Sequence, residues 1–279
     1  MSGDFNPAQR LHDLLSAAPT KGADQVKAIS VFSKILHVPE DEGPLLLASI
    51  SKMLSLPDNI RLAIQSIEGV DLELYLDWYE QAKKGVNEIN LRGNWRSFMI
   101  YFPEGSMKSI EFCSNLLATH LPEKLVESGK IDELIVKIDE LLDNPHESAL
   151  RSEDWFFIHH HLLAIKDSLQ GYRISGLAGI EDSYAQTIGA LATHPETRTR
   201  IKDTAAWDKL CKIILATGWI VSTYGGSSQL IHDINRFLDV DESALASNRG
   251  LIEGSASGTE PRSEIETGLD SKIAEQPES

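Results

Sequence analysis

Nine histidines are the side chains of this 279-residue chain best suited to holding a metal ion or moving a proton near neutral pH, and three of them are consecutive: His159, His160 and His161. Successive helical residues point about 100° apart, so three adjacent imidazoles fan around a helix and do not converge on one ion. A metal-binding helix sets two histidines four residues apart with a glutamate beside the first, and none of His12, His37, His120, His146, His194 or His232 has such a partner. Histidines on different helices can still meet, as in metal-dependent phosphohydrolases, where a His-Asp pair works with scattered histidines. His12-Asp13 and His232-Asp233 are pairs of that kind. A metal-dependent hydrolase drawing histidines from several helices is therefore the alternative function. No catalytic residue, metal ligand or cofactor is assigned from the residues themselves.

Two glycine clusters raise the question of phosphate binding. Gly171, Gly176 and Gly179 lack both the Gly-Lys-Ser/Thr of a phosphate loop and a strand to present it, so they read as a turn between helices. Gly225-Gly226-Ser227-Ser228 reads as a helix stop followed by a cap for a closing helix that carries Leu230, Ile234 and Leu238. Cys113 and Cys211 fall inside apolar helical stretches, as small buried hydrophobes of a reducing compartment do.

One segment mixes base and aromatic in the manner of a contact surface: Arg92, Trp95, Arg96, Phe98 and Tyr101, followed by Phe102. Such a mixture occurs at protein hot spots and on single-stranded nucleic-acid platforms, and equally in a core segment that carries two solvated arginines. These five residues are the candidate partner-binding site. Arg198, Arg200 and Lys202 form a second basic patch, which reads as a turn between helices.

The elements that would position these residues are helices. Apolar residues recur every three or four positions in Ile29, Phe32 and Leu36, in Leu46, Ile50 and Met53, in Ile60, Ile64 and Ile67, and in Leu72, Tyr75, Leu76 and Tyr79. Pro7 and Pro44 stand where first turns begin, and Ser55 with Asp58 around Pro57 resembles a capping box. Residues 85–94 read as a loop, and residues 97–102 suit a strand or a helical turn. A seven-residue repeat then aligns Ile131, Leu134, Ile138 and Leu141 on one face. Trp155, Ile158, Leu162, Ile165 and Leu169 make a second stripe, and Leu177, Ile180, Tyr184 and Leu191 a third. Stripes on successive helices joined by short turns are what an antiparallel bundle requires, and Ala185 with Gly189 offers a place for another helix to come close. The expected class is all-α: a multi-helix bundle or irregular helical array, with an N-terminal helical region over residues 1–143, a C-terminal bundle region over 144–239 and a disordered acidic tail over 240–279. Within the tail, Ile265, Leu269 and Ile273 have the spacing of a short helix that could fold on a partner.

Composition limits the function. A chain that is 42% apolar has material for a sizeable core, and its formal net charge of −16 opposes general attraction to nucleic-acid phosphates or anionic lipid while favouring cationic partners. Residues 213–231 hold no charge, but their second half is polar and broken by glycine, so a buried helix is expected there and no membrane span. The start is polar, without the apolar stretch of a secretory signal. The expectation is a non-catalytic cytoplasmic regulator or adaptor acting through protein-protein binding, with an acidic antagonist of a basic partner, of the immunity or antitoxin kind, suggested by charge alone. A nucleic-acid-associated helical protein is the third reading.

Overall fold

The computed structural model describes residues 5–18, 25–143 and 150–225. The chain divides into two units, Met1–Asp241 and Glu242–Ser279, the second of which lies outside the described residues. So do the expected acidic tail, its Ile265 helix, the closing helix at Leu230 and the His232-Asp233 pair. The protein is all-α: every regular element among the described residues is a helix, and the single antiparallel bridge Lys27–Asn94 is their one β-type contact.

Helix α1 (Pro7–Ser16) begins where expected, with the Asn6 side chain accepting from the amides of Ala8 and Gln9 and Pro7 in the first turn, where a missing N–H costs nothing. Its face of Ala8, Leu11 and Leu15 is buried. The next helices are α2 (Ala28–Leu36), α3 (Gly43–Leu54) and α4 (Leu56–Gln65). The capping box at Ser55 does not form. Ser55 is itself helical, and its hydroxyl donates back to Lys52 O at 2.7 Å, while Asp58 accepts from Tyr79 Oη and Lys83 Nζ, both at 2.5 Å. Those two donors hold the Asp58 carboxyl below its usual range.

The stripe expected from Leu72 to Tyr79 breaks up. Only a single turn, α5 (Leu72–Tyr75), forms before α6 (Tyr79–Asn87), and α5 buries none of its residues. Gly85, read as loop, lies inside α6, where a β-carbon would strike the Tyr101 side chain at 2.6 Å. The loop proper is residues 88–94, clamped to the start of α2 by Ala28 N to Gly93 O (2.8 Å) and Ile29 N to Leu91 O (3.0 Å). Helices α7 (Trp95–Met99) and α8 (Glu104–His120) complete the first group, so the strand option at 97–102 is not taken.

Helices α9 (Ser128–Asp143), α10 (Ser152–Gln170), α11 (Tyr172–Thr193), α12 (Pro195–Ile201) and α13 (Ala205–Gly225) follow. Helix α10 packs on α9 and α11, and α13 packs on both of those, so the three predicted stripes meet; Ile131, Leu134, Ile138, Ile158, Leu162, Ile165, Ile180 and Leu191 are all buried. Helix α11 is broken at Gly176, whose φ of 65° and ψ of −159° are open only to glycine and bring the Arg10 guanidinium against its α-carbon. Among the described residues no helix makes the close approach expected at Ala185 and Gly189, both of which are exposed. It is Gly218 of α13 that admits a neighbour, the ring of Tyr184. Helix α1 touches α11 as well as α8, α4 and α2, and α3 also reaches α11. No helix among the described residues is long and apolar enough to cross a membrane.

Candidate binding surfaces

The base-and-aromatic segment separates into two halves. Trp95 is 2% exposed, and its ring meets Phe32 edge-on at 5.1 Å and Phe98 at 5.2 Å, with Phe102 tilted against Phe98 beyond. The Trp95 amide donates to Val26 O at 2.9 Å, which fixes α7 against the start of α2. Phe98 is buried beside it. Arg92 and Arg96 stand on the exposed side, and Tyr101, half-buried over Gly85, donates its hydroxyl to Glu88. That hydrogen bond raises the Tyr101 hydroxyl above its usual value. Ile100, between Phe98 and Tyr101 in the chain, is exposed. The surface at this place is therefore Arg92, Arg96, Ile100 and the edge of Tyr101, with Trp95 and Phe98 as its foundation.

The histidine triplet fans around α10 as the 100° rotation requires. Each imidazole faces an aromatic one turn earlier: Trp155 with His159 at 6.1 Å, Phe156 with His160 at 6.4 Å, Phe157 with His161 at 4.7 Å. His160 is exposed, opposite buried Ile158 and Leu162. His161 is half-buried; desolvation, with His160 and His194 nearby, lowers its pKa below the ordinary imidazole value. His12 Nδ1 lies 3.6 Å from Asp13. Among the described residues no group of three or more His, Cys, Asp and Glu is placed to share a metal ion.

The second basic patch is helix α12 and not a turn. Arg200 grips the carboxylate of buried Asp154 with Nε at 3.1 Å and Nη2 at 2.5 Å, a forked pair that closes α12 onto α10. Beside it opens a shallow hollow lined by Glu153, His194, Pro195, Glu196 and Arg200. With its arginine committed to Asp154 and two glutamates on the rim, the hollow has little to offer an anion. A buried arginine escaped the sequence reading: Arg10 donates to Glu123 at 2.6 Å and to Phe5 O at 3.1 Å, tying α1 to the chain beyond α8. The thiols suit no nucleophile, since burial pushes Cys113 up to about 11 and Cys211 up to about 12.

What the molecule does display is apolar surface. Leu74 (66% exposed), Phe112 (62%) and Phe156 (71%) are held in solvent on α5, α8 and α10. Two of them had a sequence signal: Phe112 falls off the buried stripe Ile110, Cys113 and Leu117, and Phe156 falls off Ile158, Leu162 and Ile165. No protein-family model, curated protein or solved structure matches the chain.

Proposed function

We propose that this protein works by binding another protein, as a regulator or adaptor, and carries out no reaction of its own. One observation carries the reading: large apolar side chains, Phe112 and Phe156 above all, stand in solvent on helices whose opposite faces are anchored in core. Exposed aromatics on a rigid support are the material of interface centres, because they bury much area on binding and lose little conformational freedom. The formal charge of −16 favours a basic partner. Cytoplasmic residence agrees with two buried, unpaired cysteines.

The test is affinity capture from the native cell, identification by mass spectrometry and calorimetry on the purified pair. A saturable complex weakened by Phe112→Ala or Phe156→Ala is the expected result. Stoichiometric zinc, iron or manganese in protein purified without a histidine tag, together with hydrolysis of a phosphoester, would replace this reading with the hydrolase.

A further inference from the structure

The one-turn helix α5 is the most anomalous part of the surface. Residues 62–82 contain no lysine, arginine or histidine, yet they hold five exposed carboxylates, Glu68, Asp71, Glu73, Asp77 and Glu80. None of the five makes an ion pair with a described residue. The flanking bases are turned elsewhere: Lys83 to Asp58 at 2.5 Å, Arg61 over the Tyr79 ring at 4.7 Å. Leu72 and Leu74 stand in solvent among these acids, although Leu72 belonged to the expected apolar stripe.

This turn is fixed rather than loose. Asp71 caps it by accepting from the amides of Glu73 and Leu74 at 3.1 and 3.3 Å, and the Cys113 thiol of α8 donates to Tyr75 O at 3.1 Å. That contact joins α5 to α8, and Leu74 and Phe112 are the chain neighbours of the two residues that make it. Glu111 adds another exposed carboxylate beside Phe112, and the nearest base on α8, Lys108, is engaged by Glu104 at 2.7 Å. The paired helices thus carry exposed Leu72, Leu74 and Phe112 together with exposed carboxylates that make no ion pair with a described residue. Among the described residues the carboxylates nowhere gather closely enough to hold a metal ion.

Resting on the protein-binding reading above, we propose that the α5–α8 seam docks a cationic amphipathic helix of the partner, its leucines over Leu74 and Phe112 and its lysines and arginines toward Glu68, Asp71, Glu73 and Asp77. The apolar side chains supply affinity, and the carboxylates speed encounter and reject acidic or neutral partners. A second copy of this chain would bring like charge onto like charge, which disfavours self-association through the same face.

The experiment uses the full chain and a labelled synthetic helical peptide of about five turns with leucines at i, i+3 and i+7 and lysine or arginine elsewhere. Control peptides replace every base with glutamate, or every leucine with alanine. Fluorescence anisotropy should show saturable binding of the first peptide only. Phe112→Ala and Leu74→Ala should each weaken it at least tenfold, and Glu73→Lys with Asp77→Lys likewise, with melting temperatures unchanged because all four side chains are exposed. Phe156→Ala, on α10, should leave binding as it was. Equal binding of the leucine-free peptide, indifference to Phe112→Ala, or self-association in sedimentation that Phe112→Ala abolishes would each overturn the assignment. A captured native partner that Phe156→Ala releases and Phe112→Ala does not would overturn this seam while leaving the protein-binding function standing.

Discussion

Replacing Trp95 by alanine separates the two halves of the base-and-aromatic segment. The indole is 2% exposed and wedged between Phe32 and Phe98, so its removal leaves a ring-sized void that the two phenylalanines, themselves buried, have little freedom to fill. Large-to-small changes of this kind cost about 3–5 kcal/mol, a large share of the roughly 5–15 kcal/mol that stabilises a domain. At about 2–4 °C per kcal/mol for a chain of this size, the melting temperature should fall by roughly 6–20 °C. Arg92→Ala and Arg96→Ala, on the exposed side, should shift it by less than about 2 °C, since surface changes stay within about 0.5 kcal/mol. Thermal melts by circular dichroism, with urea titrations on the same proteins, supply both numbers. If Trp95→Ala melts within about 2 °C of wild type and instead loses a partner by about 2 kcal/mol or more, the core argument is wrong and Trp95 is a contact residue.

Gly218→Ala sets helix propensity, which favours alanine by about 1 kcal/mol, against a clash with the Tyr184 ring carbon at 2.8 Å that should cost about 1–3 kcal/mol. A net loss of about 1 kcal/mol is expected, and it should vanish when Gly218→Ala is measured against a Tyr184→Ala background in a double-mutant cycle; a stabilised single variant would refute the close approach. The lowered pKa of His161 means that below about pH 6.5 the unfolded chain takes up the proton more readily than the folded one. Stability should therefore fall as pH drops from 7.5 to 5.5, and the fall should be smaller in His161→Phe; an unchanged slope of urea midpoint against pH would count against the burial of that ring.

Helix faces were readable wherever a stripe ran for three turns or more, because a continuous run of apolar residues at one angular position has a single economical way to leave water. Ile131 to Leu141 and Ile158 to Leu169 behave so. The stripe from Leu72 to Tyr79 failed because spacing says nothing about where a chain turns, and the chain turns after Leu76. Trp95, Phe98 and Phe102 were ambiguous for a different reason: a hot spot and a core helix use the same residues at the same interval, and only the position of Phe32, more than sixty residues earlier, decides between them. Contacts between distant segments leave no mark in local pattern. Arg10 with Glu123, Arg200 with Asp154 and Tyr184 with Gly218 all belong to that kind.

The central place of α1 bears on how the chain is made. Asn6 donates to Ser114 O at 3.0 Å and Arg10 to Glu123, so the partners of this helix lie more than a hundred residues downstream, and those on α11 further still. At a synthesis rate of about 5–20 residues per second, the part of the Ala8, Leu11 and Leu15 face that α2 and α4 leave open waits roughly 5–20 seconds after leaving the ribosome before α8 exists to cover it. During that interval the nascent chain offers a helix whose apolar face is only partly covered. Holding chaperones, or slow local translation between α1 and α8, should therefore change the yield of this protein more than its final stability.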